Sequence, residues 1–303
     1  MRITNGITYN EFLKNFNTNA TTVQKTLNQL SSLKKVNQAS DNPLLVSKII
    51  DLNSSISQNQ TFGQTIKDSL SWVNTQDSAL EAVGNSMLRI RSLIQSSANG
   101  GTMGEEELQA NKTEIGQEIR SIIDSLNTSY DGRYIFSGQN TTTKPFSLNE
   151  TNGEITGITY QGSTTNLSRE IASGVTIDLP TNGEQVLNNG TDGKGLSEFF
   201  NGILTAVDTG DTSKLSDTYL KEIDDYRNNV TNMRTQIGTI SNRLQASSSR
   251  NDTQQIQLKE SLSEKQDVDV AQKYLEYQNQ MVAYRATLAM GTKIMQTSIL
   301  DYL

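Results

Sequence analysis

The 303-residue sequence contains no cysteine and no histidine. Without thiolate or imidazole groups, the chain cannot form a disulfide, a zinc centre of the usual kinds, or a catalytic triad that depends on Cys or His. Carboxylate chemistry and the binding of hard cations remain possible. Proline is also scarce, with three residues in the whole chain, so long helices meet few interruptions.

Hydrophobic residues make up 34% of the sequence and aromatic residues 6%, which is low for a compact enzyme of this length. Slender helical bundles need fewer core residues, so the composition favours that architecture. The net charge is −7, and there is no Lys/Arg cluster of the kind that binds nucleic acid. No apolar run approaches the roughly 20 residues of a membrane helix. We therefore expect neither a nucleic-acid partner nor a membrane partner.

The first residues lack the basic, apolar and small-residue regions of a cleavable signal peptide. By the general secretory route, this indicates a cytoplasmic protein. A protein that a dedicated export machine secretes without a cleavable signal would be an exception to this inference.

Both ends of the chain carry apolar residues with a seven-residue period. This pattern places one narrow apolar seam on each predicted helix and favours helix-on-helix packing. An intramolecular bundle uses the same seam, so the spacing alone leaves both kinds of packing open. The position of the seams at the chain ends, and the frequent tyrosines of the second seam, favour contacts between molecules. The candidate assembly interface consists of Tyr9, Leu13, Phe16, Val23, Leu27, Leu30, Val270, Tyr274, Tyr277, Met281, Tyr284, Leu288, Met295 and Tyr302.

Caps, breaks and periodicity predict the helices. The first helix runs from about Thr8 to Val36. Asn42 is a predicted N-cap, and Pro43 is the first residue of a second helix that continues to Ala98 without further proline. A seven-residue column marks the buried face of this helix and consists of Ile66, Val73, Leu80, Met87 and Ile94.

The segment Asn99–Gly101 ends the second helix. The spacing of Thr102 and Glu105 predicts a capping box for a third helix, which runs to about Tyr130. A helix that doubles back through a short glycine turn forms an antiparallel pair with its predecessor.

From Arg133 the period changes, and short β-prone runs follow one another. They cover residues 134–136, 155–160, 167–171 and 175–179. Helical pattern resumes over Leu196–Val207, breaks at Thr209–Ser213 and then continues to the C-terminal seam. The chain therefore leaves and returns as helices, and its two ends should lie together.

The predicted fold is mainly α, a long helical bundle or coiled-coil rod formed by both chain ends, with one small inserted β domain. The predicted divisions are an N-terminal assembly helix (1–42), the first part of the rod (43–132), the β domain (133–190), the second part of the rod (191–262) and a C-terminal assembly helix (263–303).

Six segments of the sequence, in a fixed order, carry a resemblance to a known family. They are Met1–Thr4, Leu33–Pro43, Asp77–Leu80 with Ile90–Leu93 and Ala98–Gly100, Gly132–Gly138 with Pro145–Phe146, Tyr160–Gly162 with Arg169–Ile171, and Ser298–Leu303. These segments resemble the flagellin superfamily and, within it, the hook–filament junction proteins known as hook-associated protein 3. Leu33 stands where that family usually has glycine.

This resemblance implies a structural protein of the bacterial flagellum that is exported by the flagellar type III apparatus. It implies a ring of copies between hook-associated protein 1, on the hook side, and flagellin. The terminal helices would order on assembly, and a cytoplasmic chaperone would hold the C-terminal helical segment before export. A short flagellin that forms the filament itself is the nearest alternative.

Other candidate sites are weaker. The run Glu105–Glu107 could bind a metal but fits the first turn of a helix better. The segment Asp208–Asp211 faintly resembles a calcium loop, yet lacks the glutamate at the twelfth position. A carboxylate hydrolase in the β domain would have to use residues such as Glu154 or Glu170. We expect no catalytic, cofactor or metal site.

Overall fold

The structure, a computed structural model, describes residues 5–99, 104–151, 154–187 and 195–295. The chain divides into two compact units. We call residues 1–59 and 253–303 the terminal unit, and residues 60–252 the central unit.

Long helices dominate the described residues, as the sequence predicted. The helices are α1 (Asn5–Ser32), α2 (Pro43–Ala98), α3 (Glu105–Leu126), α4 (Glu184–Leu187), α5 (Leu196–Asp208), α6 (Thr212–Lys214), α7 (Leu220–Gln266) and α8 (Val270–Met295). A π-helical turn, Leu215–Tyr219, precedes α7.

The strands form three separate antiparallel pairs, β1–β2, β3–β4 and β5–β6. They are β1 (Ser129–Tyr130), β2 (Arg133–Tyr134), β3 (Phe146–Thr151), β4 (Glu154–Tyr160), β5 (Leu167–Ala172) and β6 (Val175–Leu179). Strand β3 was not predicted from the sequence, because its Ser, Asn and Glu residues have little β propensity. Its register places Phe146 opposite Tyr160, with ring centroids 5.2 Å apart.

The core of the central unit contains the predicted column of α2. Each of its five side chains, Ile66, Val73, Leu80, Met87 and Ile94, is 0% exposed. On α3 the apolar residues Ile115, Ile119 and Ile122 are also fully buried. The seven-residue period therefore identified a true core face in this unit.

The helix starts follow local capping chemistry. Asn42 Oδ1 accepts a hydrogen bond from the Leu45 amide at 3.1 Å, which confirms the predicted cap before Pro43. The predicted box at Thr102 and Glu105 is wrong, because α3 begins at Glu105 with Gly104 as its cap. The Gly104 amide instead donates to Glu107 Oε2 at 3.3 Å. Thr102 itself lies outside the described residues.

Helix α1 ends four residues before the predicted Val36, because Leu33 adopts a positive φ of 58° and turns the chain. The predicted continuous C-terminal helix is also interrupted. It ends at Gln266, and Asp269 Oδ1 then accepts from the Gln272 amide at 3.1 Å and caps α8. Each break depends on only one or two residues, and the seven-residue apolar period continues unchanged across them. Periodicity therefore does not locate either break.

Replacing Leu33 with glycine should favour the folded terminal unit. An L-residue in the left-handed region costs about 1–2 kcal/mol, and glycine recovers part of this after its own entropy cost of about 0.5–1 kcal/mol. Leu33 is 53% exposed, so little packing is lost. We expect the amide hydrogens of α1 to become more protected from exchange, by roughly three- to fivefold. Leu33→Ala is the control, since it removes the side chain but keeps the strain; an equal gain in that variant would contradict this explanation.

Candidate assembly interface

Helices α1 and α8 pack against each other in the terminal unit and run antiparallel. The rings of Phe16 and Tyr284 stack with centroids 5.5 Å apart. Nearer the ends of the chain, Phe12 lies against Gly291, so closely that a Cβ on Gly291 would fall 2.6 Å from Phe12 Cε2. The described parts of the two terminal helices therefore lie together, as the sequence predicted.

The two helices meet along a face that is displaced from the predicted seam. Positions facing the partner helix include Phe12 and Asn19 on α1 and Gln280 and Thr287 on α8, none of which belongs to the predicted set. Asn19 Nδ2 donates to Thr287 Oγ1 at 2.9 Å. Sequence reasoning missed these residues because two of the four carry amides and one a hydroxyl, which an apolar period cannot detect.

The predicted interface residues fall into three groups. Six are half-buried on the paired faces: Phe16, Val23, Leu30, Tyr277, Met281 and Tyr284. Six remain exposed, by 36–54% of their surface: Tyr9, Leu13, Leu27, Val270, Tyr274 and Leu288. The side chain of Met295 and the whole of Tyr302 lie outside the described residues. Pairing within the chain therefore half-buries six of the twelve predicted residues whose side chains the structure describes.

Among the described residues, the terminal unit has no hydrophobic core of its own. Every fully buried apolar side chain falls between Ile66 and Leu244, inside the central unit. The covered polar side chains of the terminal unit are Thr26, Gln29 and Asn59. Since burial of apolar surface is the main stabilising term in folding, the terminal unit by itself has little stability.

Two backbone hydrogen bonds join the segment that follows α1 to the junction between α7 and α8. The Lys35 amide donates to the Gln266 carbonyl at 2.7 Å, and the Val268 amide donates to the Leu33 carbonyl at 3.1 Å. Lys25 Nζ also lies 3.0 Å from Asp41 Oδ1 in the terminal unit. This hydrogen bond from Lys25 is the main reason that the pKa of Asp41 lies below its ordinary value.

Replacing Gly291 with alanine should weaken the pairing of α1 and α8. Alanine raises helix propensity by about 1 kcal/mol over glycine, but its Cβ would overlap the Phe12 ring and force it aside. We expect the amides of α1 to exchange faster, by roughly fivefold. Gly6→Ala is the matched control, because a Cβ there meets nothing within 4 Å and should slow exchange. Slower exchange in both variants would show that Phe12 does not pack on Gly291.

The acidic residues of the alternative sites have structural partners. Lys112 Nζ binds both Glu154 Oε1 at 2.8 Å and Asp208 Oδ1 at 2.9 Å, and its hydrogen bond is the main cause that lowers the pKa of Asp208. Glu170 Oε1 accepts from the Gly174 amide at 2.9 Å, and Asp211 caps α6. Within the described ranges, no group of three or more acidic side chains is placed to hold a metal ion. These carboxylates act as caps and ion-pair partners.

A helix that crosses a membrane must be long and mainly apolar. In the part of the chain that the structure describes, none is both long and apolar enough to cross a bilayer.

A terminal unit of paired helices with no buried apolar core among its described residues, and a central unit with small antiparallel sheets, define a structural protein built on its two terminal helical regions. Residues 3–141 match the N-terminal helical region of bacterial flagellin, and residues 220–303 match its C-terminal helical region. The chain belongs to the flagellin family. Proteins of this family are structural components of the bacterial flagellum, and the chain is accordingly not an enzyme.

Individual relatives include both junction proteins and flagellins. The chain is 26% identical to flagellar hook-associated protein 3 of Salmonella typhimurium over 191 residues, which is 62% of this chain and 57% of that protein. It is 24% identical to a flagellin of Bacillus subtilis over 96% of this chain and 95% of that protein. Its fold is similar to that of hook-associated protein 3 from Legionella pneumophila, with a TM-score of 0.60, 14% identity and coverage of 72% of this chain and 98% of that structure.

Proposed function

We propose that this chain is a junction subunit that joins the hook of the bacterial flagellum to its filament. The observation that carries the proposal is the terminal unit, which lacks a buried apolar core among its described residues and yet exposes six apolar side chains of the predicted seam. A pair of helices with this composition gains its stability from further packing, and neighbouring subunits can provide it. The likeness to hook-associated protein 3 supports the junction as the place of assembly.

The partners follow from this position. Copies of the chain form a ring, with hook-associated protein 1 on the hook side and flagellin on the filament side. The chain leaves the cell through the flagellar export apparatus without a cleavable signal peptide, while a cytoplasmic chaperone holds its C-terminal helical segment. Residues 1–42 and 263–303 are then the assembly helices, and they order when the ring forms.

A short flagellin is the second candidate, and the similarity to a flagellin over nearly the whole chain favours it. The two functions differ in what the purified protein does. A junction subunit stays soluble and does not extend filament seeds, whereas a flagellin polymerises onto them. Long filaments grown from this chain alone would overturn the junction proposal in favour of the second.

Electron microscopy of a strain that lacks the gene tests the proposal directly. We expect intact hooks without attached filaments, with flagellin released into the medium. Expression of the chain from a plasmid should restore the filaments. Normal filaments on the deletion strain would overturn the junction function.

A further inference from the structure

Two neighbouring polar side chains of α2 are buried in the core of the central unit, and each has a hydrogen-bonding atom left over. Trp72 is 2% exposed and Gln76 is 0% exposed. Among the described residues, Trp72 Nε1 and Gln76 Oε1 have no hydrogen-bond partner. Buried polar atoms nearly always pair with a protein group or an ordered water, because an unpaired one costs free energy. One unpaired donor and one unpaired acceptor thus lie on the same helix.

The hydrogen bonds of Gln76 fix which of its atoms is unpaired. Gln76 Nε2 donates to the carbonyl of Ile135 at 2.9 Å and to that of Pro180 at 3.0 Å. An amide turned by half a rotation would place its oxygen against these two carbonyl oxygens, which accept hydrogen bonds but donate none. The unpaired atom is therefore an acceptor that is held in one position.

The unpaired donor and the unpaired acceptor are close to each other. Trp72 and Gln76 are four residues apart, so they lie on the same face of α2. Side chains of a helix lean towards its N-terminus, which carries the Gln76 amide towards the Trp72 ring. No hydrogen bond joins the two atoms directly in the described structure. A group that bridges them must accept from the indole, donate to the amide oxygen and fit inside a packed core, and a water molecule does all three.

The ring of Tyr130 is a competing partner for the indole. The Tyr130 and Trp72 rings meet edge to face, with centroids 6.1 Å apart and planes at 75°. An N–H group that points at an aromatic ring makes only a weak hydrogen bond, and it would leave Gln76 Oε1 unpaired. A bridging water pairs both atoms. Its second hydrogen has acceptors beside the same amide, because the carbonyls of Ile135 and Pro180 each have a second lone pair.

We propose that the central unit binds a single water molecule between Trp72 Nε1 and Gln76 Oε1. The indole donates to the water oxygen, and the water donates to the amide oxygen. Together with the two hydrogen bonds from Gln76 Nε2, this water completes a polar network that connects α2 to the segments at Ile135 and Pro180. The water site lies within the central unit, so it does not depend on the proposed function or on where the chain assembles.

NMR of the full-length chain tests the water site, because one tryptophan gives a single indole N–H signal. The chain is labelled with ¹⁵N-tryptophan, and cross-peaks between the indole proton and water are recorded in a ROESY spectrum. A long-lived bound water gives a cross-peak of opposite sign to the diagonal, whereas proton exchange gives one of the same sign. We expect the opposite sign. A cross-peak of the exchange sign alone, or no cross-peak, would overturn the proposal and assign the indole to the Tyr130 ring.

Gln76→Met tests the second partner of the water. Methionine has a similar length but lacks the amide oxygen, so the cross-peak between the indole proton and water should be lost. Gln95→Met, at an exposed position of the same helix, is the matched control and should keep the cross-peak. Equal cross-peaks in the two variants would contradict a water that bridges Trp72 and Gln76.

A second measurement decides the matter if Gln76→Met does not fold. Relaxation dispersion of water ¹⁷O counts the long-lived waters of the folded chain. The tryptophan is replaced by its benzothiophene analogue, which has sulfur in place of the indole N–H and changes no other residue, since the chain has one tryptophan. We expect the loss of a single long-lived water per molecule. An unchanged count would overturn the proposal.

Discussion

A chain that carries Leu288→Asp should fold normally but be missing from the flagellum. Leu288 is 42% exposed on α8 and belongs to the candidate assembly interface, so a carboxylate there stays hydrated in the free subunit and costs little. In the assembled ring the same carboxylate would be buried without a partner, at a cost of several kcal/mol. Against an assembly contact this corresponds to loss of incorporation by at least about a hundredfold. Immunoblots of isolated flagella and of whole cells, with a swimming assay, measure the effect.

Leu88→Asp is the matched control for this prediction. Leu88 is 47% exposed on α2, and it belongs to the central unit rather than to the candidate interface. We expect that variant to assemble and swim. Met281→Asp would be a poorer probe, since Met281 is half-buried on the face of α8 that meets α1 and its loss would also disturb the pairing. Normal swimming of the Leu288→Asp strain would show that Leu288 takes no part in the assembly contact.

Gln76→Ala should destabilise the central unit by about 3 kcal/mol, more than any surface change in this chain. Gln76 is 0% exposed, and its Nε2 donates to the carbonyls of Ile135 at 2.9 Å and Pro180 at 3.0 Å. The two carbonyls belong to segments that flank the strands β3 to β6, and alanine would leave both buried without a donor. Loss of this side chain therefore removes the hydrogen bonds by which α2 holds these two segments.

The single tryptophan of the chain reports this unfolding. Trp72 is 2% exposed and lies one helical turn from Gln76, so its emission should shift to the red as the central unit opens in urea. The midpoint should fall by about 1–2 M at an ordinary urea dependence. Gln95→Ala, at an exposed position of the same helix, is the control for helix propensity and should leave the midpoint nearly unchanged. Equal midpoints for the two variants would show that the buried amide contributes no net stability.

Periodicity predicted the helices well where the core itself is periodic. The α2 column is entirely buried, and the predicted helix start at Asn42 and Pro43 is confirmed. Both predictions depend on residues that lie close together in the sequence. The breaks at Leu33 and Asp267–Asp269 were not predictable from the period, since they depend on a positive φ and on contacts with distant residues. Strand β3 was missed for a similar reason: its register with β4 compensates for a polar sequence.

The candidate interface shows a different limit. A seven-residue period shows which residues form an apolar stripe on a helix. It does not show which side of that stripe faces the partner helix. The pairing of α1 and α8 recruits Asn19 and Thr287, and this turns Tyr9, Tyr274 and Leu288 outward.

The backbone connection between residues 33–35 and 266–268 has a mechanical consequence. These amide–carbonyl bonds join the segment that follows α1 to the junction between α7 and α8, so a twist applied to one of these helices is passed on through the backbone rather than through side chains that can change rotamer. In a rotating organelle, each subunit would then resist torque with both helices at once. Inserting glycines into these two connecting segments would weaken the mechanical coupling between the helices while leaving every apolar contact in place.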